Sequence, residues 1–185
     1  MTAARTISGF RSYMRRFARD REGVSAIEFA ILLPFMLTLY IGGVELGNGL
    51  AIQFKSTLAA RTVADLASQF VSIDNSNMAG ILGAATKVIS PYSPTGMIVT
   101  VSEVTTNAQG VGKVVWSDST GTAHTVGSTL ALPANLQQAN ITLIYGEVTY
   151  PYTPNMGYVL TGTFNIYESI YFFPRLSSTV TRVNS

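Results

Sequence analysis

Between Phe29 and Val44 the chain runs sixteen residues without a charge, FAILLPFMLTLYIGGV, and Val24 to Ile27 extend this run on its near side past a single acid, Glu28. The next acid, Glu45, lies 17 residues further on. At ~1.5 Å per residue a helix separates these two carboxylates by ~26 Å, slightly less than a hydrocarbon core of ~30 Å. The segment therefore predicts one membrane-spanning helix, about residues 24–46, with an acid at each border. An ionised side chain deep in a bilayer costs roughly 2.5 to 3.5 kcal/mol on insertion scales, so Glu28 calls for a partner. Glu45 reads more simply as the outer boundary of the span.

Charge sets the direction of that helix. The net charge of +2 divides into +4 over residues 1–22, which hold six arginines, Asp20 and Glu22, and −2 over the remainder. Positive flanks stay on the cytoplasmic side, so the N-terminus is expected inside and everything after Glu45 outside. Phe10, Tyr13, Met14 and Phe17 fall among the arginines at helical spacings, which suits a basic segment lying on the inner membrane face. Beside an apolar span, topology explains the arginines better than nucleic-acid binding does. A cleaved secretory signal would end in a small-residue site after its apolar core. Here the expected scission point precedes the core, which is the order of a retained anchor.

Within the span Pro34 cannot donate to the Ala30 carbonyl and is expected to bend the helix slightly. Gly43 and Gly47 form a G-x-x-x-G pair that can admit a second helix, or simply add flexibility. Helical periodicity continues beyond the membrane, with Leu50, Phe54, Leu58, Val63, Leu66 and Phe70 recurring at steps of three to five and Lys55, Arg61, Asp65 and Gln69 between them. One nearly continuous helix is expected from Val24 to about Phe70. Asp74 to Asn77 break it, a shorter helix runs from about Met78 to Ile89, and Ser90-Pro91 and Ser93-Pro94 close that.

After Pro94 the period changes to two. MIVTVSEVT and KVVWSDS predict an antiparallel pair, LPANLQQA a short helical turn, and ITLIYGEVTYPY and FNIYESIYFFPR further strands, with a Pro-Asn-Met-Gly turn between the last two. Pro151 and Pro174 mark edges or strand ends. The predicted fold class is α+β, a long N-terminal transmembrane helix continuing into an exported domain with an antiparallel sheet of four or five strands. The expected division is a basic leader over 1–23, the helix over 24–70 and a β-rich domain over 71–185.

The inventory for catalysis is poor. With no cysteine there is no disulfide framework and no thiolate. His124 is the sole histidine, set in a Gly/Thr-rich loop without an acid close by in sequence, and reads as a solvated loop residue. One imidazole does not make a zinc site. Glu103, Asp118, Glu147 and Glu168 fall on different strands, where the default place for an acid is the solvent face. Phosphate-loop, nucleophile-elbow and zinc-protease motifs are absent from the sequence. No catalytic residue, metal, cofactor or small-molecule substrate is expected. Tyr145, Tyr150, Tyr152, Tyr158, Tyr167 and Tyr171 read as sheet packing more readily than as a contact surface.

The stretch Arg19-Asp20-Arg21-Glu22-Gly23, then Val24-Ser25-Ala26-Ile27-Glu28-Phe29-Ala30 and Leu32-Leu33-Pro34, with Ala60-Arg61-Thr62-Val63-Ala64-Asp65 in support, resembles the TadE-like minor pilins, or pseudopilins, of the tight adherence (Tad/Flp) type IV pilus system. The resemblance covers about the first 70 residues. It implies a pilin-like fold in the bacterial inner membrane with a periplasmic C-terminal domain, and cleavage by a prepilin peptidase at the Gly23-Val24 bond. It also implies that Glu28 and Phe29 form the processing and assembly motif, and that the partners are other Tad pilins and inner-membrane assembly proteins. The family usually carries tyrosine where this chain has Phe29, which keeps the ring and loses the hydroxyl. Cleavage would create an ammonium at Val24, and in an assembled bundle the Glu28 carboxylate of one subunit can pair with that amine on its neighbour. Two other roles compete: an anchored periplasmic partner of an envelope machine that never assembles, and a tethered enzyme.

Overall fold

The computed structural model describes residues 21–154 and 162–183. The basic leader up to Asp20, Tyr158 and most of the expected Pro-Asn-Met-Gly turn lie outside the described residues. The chain divides into two units between Val44 and Glu45.

Helix α1 (Arg21–Ser68) carries on through Pro34, and the Thr38 hydroxyl donates to the Pro34 carbonyl at 2.8 Å. In the first unit its side chains are exposed all round, Ile27, Phe29, Leu32, Phe35, Leu39 and Tyr40 among them. This is the only described helix long and apolar enough to cross a membrane, and none of its most apolar 18-residue window is buried.

In the second unit α1 becomes one-sided, and the expected apolar stripe splits: Val63 is buried and Leu66 and Phe70 pack against the core, while its first three members do not. Leu50, Phe54 and Leu58 are exposed, Phe54 at 75 %, whereas Ile52, Ala59, Ala60, Val63, Ala64 and Ala67 are buried. Small side chains bring a helix axis closer to its sheet than leucines can. Here the alanine face packs against β5, and Leu50, Phe54 and Leu58 are left outside.

A two-residue strand, β1 (Ser72–Ile73), precedes α2 (Asn75–Val88). The shorter helix therefore begins three residues before the expected Met78, because the Asp74 carboxylate accepts the Asn77 amide at 2.7 Å and caps it. Met78, Ile81 and Ala85 turn inward. At the other end Lys55 of α1 donates to the Val88 and Ser90 carbonyls, placing a cation where the helix dipole is negative.

The remaining strands are β2 (Ile98–Thr106), β3 (Gly112–Ser119), β4 (Thr129–Leu130), β5 (Thr142–Tyr152), β6 (Phe164–Phe172) and β7 (Thr181–Arg182), with a 3-10 turn at Ala134–Leu136. Five of them form an antiparallel sheet in the order β4-β3-β2-β5-β6. Tyr150-Pro151-Tyr152 closes β5, and Pro151 sits beyond the end of its pairing with β2, where a missing N–H disrupts no ladder on that side. An irregularity between Glu103 and Val104 leaves Val115 as an extra residue on β3, so that Val114 and Trp116 serve opposite faces.

The main core lies between the helices and one face of the sheet, built on Val63, Ala64, Ile81, Val101, Ile144 and Val148 among others. A second cluster of Val104, Leu132, Leu143 and Tyr145 fills the opposite face. Sequence reasoning missed two short pairings: β4 lies antiparallel to β3, and β7 lies parallel to β1, Ser72 opposite Thr181 and Ile73 opposite Arg182. The fold is α+β.

Candidate functional site

The segment from Gly23 to Gly47 lies wholly on α1. Among the described residues a Cβ built on Gly23, Gly43 or Gly47 meets nothing within 4 Å, so no contact there dictates glycine at any of the three. Val24, Glu28 and Phe29 are exposed, with Val24 one helical turn before Glu28 on the same face. The stretch from Val24 to Val44 is apolar on every side but for Glu28, a surface suited to lipid or to other helices. Glu45 departs from the expectation of a plain boundary: it is only 2 % exposed, and its backbone carbonyl accepts the Tyr152 hydroxyl at 3.0 Å. The helix thus enters the folded domain at that residue.

Residues 23–65 match the family model described as TadE-like protein. The match opens on Gly23, takes in Glu28, Phe29, Pro34, Gly43 and Gly47, and stops at Asp65 where α1 lies on the sheet. It supports membership of that family, over 43 of the chain's 185 residues. Searches of curated proteins and of solved structures give no match. The TadE-like stretch is the part of the chain that holds every residue expected to take part in processing or assembly.

The acids on the sheet are not where alternation alone puts them. Glu103 is buried, 2 % exposed, and one of its oxygens accepts the Trp116 indole N–H at 2.6 Å and the Val180 amide at 3.3 Å. Burial pushes its pKa above the usual carboxylate range, against the opposing effect of those two donors. Asp118 pairs with Arg182, 2.8 Å from Nε, which raises the guanidinium pKa further and ties β7 to β3. Glu168 accepts from Gln53 at 3.2 Å.

His124 is not solitary either. Its Nε2 pairs with one Glu147 oxygen, and the Tyr167 hydroxyl donates to the other at 2.6 Å. The Tyr145 and Tyr167 hydroxyls lie 2.7 Å apart, and Tyr145 stacks on Tyr171 with ring centroids 4.4 Å apart. Burial raises the phenol pKa of Tyr145, Tyr167 and Tyr171, and the charge of Glu147 raises each further. No spacing rule links a loop histidine to an acid 23 residues away, so the sequence held no signal for this cluster. Both Glu147 oxygens are engaged, and the network reads as a tie between the loop, β5 and β6. Among the described residues no group of three or more His, Cys, Asp or Glu is placed to hold a metal ion.

Proposed function

We propose that this chain is a minor pilin or pseudopilin of a Tad/Flp type IV pilus, anchored in the bacterial inner membrane by α1, with its C-terminal domain in the periplasm. The observation that carries the reading is the TadE-like match over residues 23–65, which takes in the exposed apolar run of α1 from Val24 to Val44. Twelve or more large side chains left bare in water are costly at about 25 cal/mol per Å², and lipid or neighbouring helices remove that cost. The arginine-rich leader holds the N-terminus on the cytoplasmic side.

A prepilin peptidase cuts between Gly23 and Val24 in this reading. A protease needs its substrate's backbone accessible, and glycine within a helix makes local unwinding cheap, by about 1 kcal/mol relative to alanine. Scission discards the positive leader and leaves an ammonium at Val24. Glu28 then pairs with the amine of an adjoining subunit in the pilus, which sets the axial register between the two. Other Tad pilins and the inner-membrane assembly proteins are the partners, with Gly43 and Gly47 offering a close approach to a second helix.

The test is the N-terminal residue of the protein extracted from its native membrane. A chain beginning at Val24 is expected; one that keeps its leader while pili form normally overturns the processing step.

A further inference from the structure

Among the described residues β6 pairs on one side only, with β5, and its other edge is open over nine residues from Phe164 to Phe172. The opposite edge of the sheet is blunted by the two-residue β4. Long open edges invite pairing, and proteins commonly guard them with proline, lysine or bulges. Strand β6 has none of these, and its single charge is Glu168.

The space beside that edge is shaped. Phe164, Ile166, Glu168, Ile170 and Phe172 alternate onto the α1 side of the sheet. Phe164 and Ile166 join Leu46, Gly49 and Leu50 in lining an almost wholly apolar hollow of about 260 Å³. Phe172, at the far end, lines a second, partly polar hollow of about 380 Å³ with Leu58, Thr62, Leu66 and the charged Arg61, Asp65 and Arg175. Eight residues of strand, ~27 Å, separate Phe164 from Phe172. Between the hollows stands Glu168, held by Gln53.

We propose that this edge takes an extended segment of a partner chain as a sixth, antiparallel strand. Backbone pairing along β6 supplies the affinity, and every second side chain of the incoming strand turns toward α1. The apolar hollow at Phe164 selects a large apolar residue near one end of that segment, and Glu168 selects a lysine or arginine at its middle. The exposed Leu50 and Leu58 are then covered by the added strand. This goes beyond the pilin reading and needs neither cleavage nor a pilus, so the two can fail separately.

The chain lacks cysteine, so Ser169→Cys in the full-length protein in detergent gives one reactive thiol on β6, on the face away from α1. The probe is the peptide Leu-Thr-Val-Thr-Lys-Thr-Val-Thr-Leu with a cysteine scanned through its positions. A disulfide at peptide position 4, opposite residue 169 in the antiparallel register, and none at positions 3 and 5 is expected. Glu168→Lys should weaken binding of the cysteine-free peptide roughly tenfold, and a peptide with glutamate for its lysine should recover it. Crosslinking at all positions alike, or no binding, overturns the proposal. A Ser169→Cys disulfide dimer that forms in place of the peptide adduct also overturns it, and makes the edge an interface between two copies.

Discussion

Gly146 on β5 lies so close beneath α1 that a Cβ placed on it would stand 2.7 Å from the carbonyl oxygen of Ala60 and 2.9 Å from the Ala64 side chain. The first obstacle is backbone, which has no rotamer to change. This crossing point explains why the helix presents alanines to the sheet and leaves Leu50, Phe54 and Leu58 outside.

Replacing Gly146 with alanine should therefore push the helix from the sheet and cost about 1–3 kcal/mol, the usual range for overpacking. In detergent the full chain should lose several degrees of melting temperature. Ala60→Gly should recover little, because the carbonyl remains in place. A Gly146→Ala chain as stable as the parent would mean that α1 lies further from β5.

Glu103 makes stability depend on pH with a definite sign. Its folded pKa is raised above the ordinary 4.5, so the folded state favours the protonated acid. The stabilisation this group gives is complete below about pH 4.5 and is lost as pH rises through the folded value. Glu103→Gln keeps an acceptor for Trp116 and Val180 but cannot ionise. Relative to the parent, its stability should increase as pH rises across that window. Parallel pH profiles for the two proteins, from denaturant melts at matched pH, would show that the carboxylate is not buried in solution.

The phenols act at the other end of the scale. Burial is the first cause of a raised pKa at Tyr145, Tyr150, Tyr152, Tyr167 and Tyr171, and in the first of these a hydrogen bond with Tyr167 adds to it. An unfolded chain ionises its tyrosines near pH 10 while the folded one holds these as neutral phenols, so stability is intact below about pH 10 and declines above it. Ultraviolet titration should show a few phenols ionising freely and the rest ionising together with loss of the circular dichroism signal. Tyr167→Phe removes the bonds to Glu147 and Tyr145 and should cost about 1–2 kcal/mol. Gradual, independent ionisation of every tyrosine with the fold intact contradicts this account.

In the first unit of α1, substitutions should change processing and assembly without changing stability. Among the described residues no atom lies within 4 Å of a Cβ on Gly23, so a bulky residue there should be harmless to folding. It should leave full-length precursor on a gel, and Glu28→Ala should insert normally yet reduce surface pili at least tenfold. Normal maturation of the Gly23 variant would move the scission site, and wild-type piliation by the Glu28 variant would remove the pairing role.

Several elements were legible because one local period governs them. The uncharged run, the change from period 3.6 to period two after Pro94, and the proline-marked strand ends all follow from hydrophobic pattern and backbone geometry. The β1–β7 pair escaped because two residues carry no period at all. His124 and Glu147 escaped because their meeting depends on how a loop folds over a sheet face.

What the sequence determined by itself is the long apolar helix with its acid, the asymmetry of charge, and the α+β class, since each depends on residues adjacent in the chain or one helical turn apart. Tertiary structure alone decided which face of α1 is buried, because large residues score as core in any periodicity while close approach to a sheet requires small ones. It decided equally that Glu103 is sealed inside: an acid on an alternating strand is assigned to water until Trp116 and the amide of Val180, 13 and 77 residues away, are brought to its oxygen.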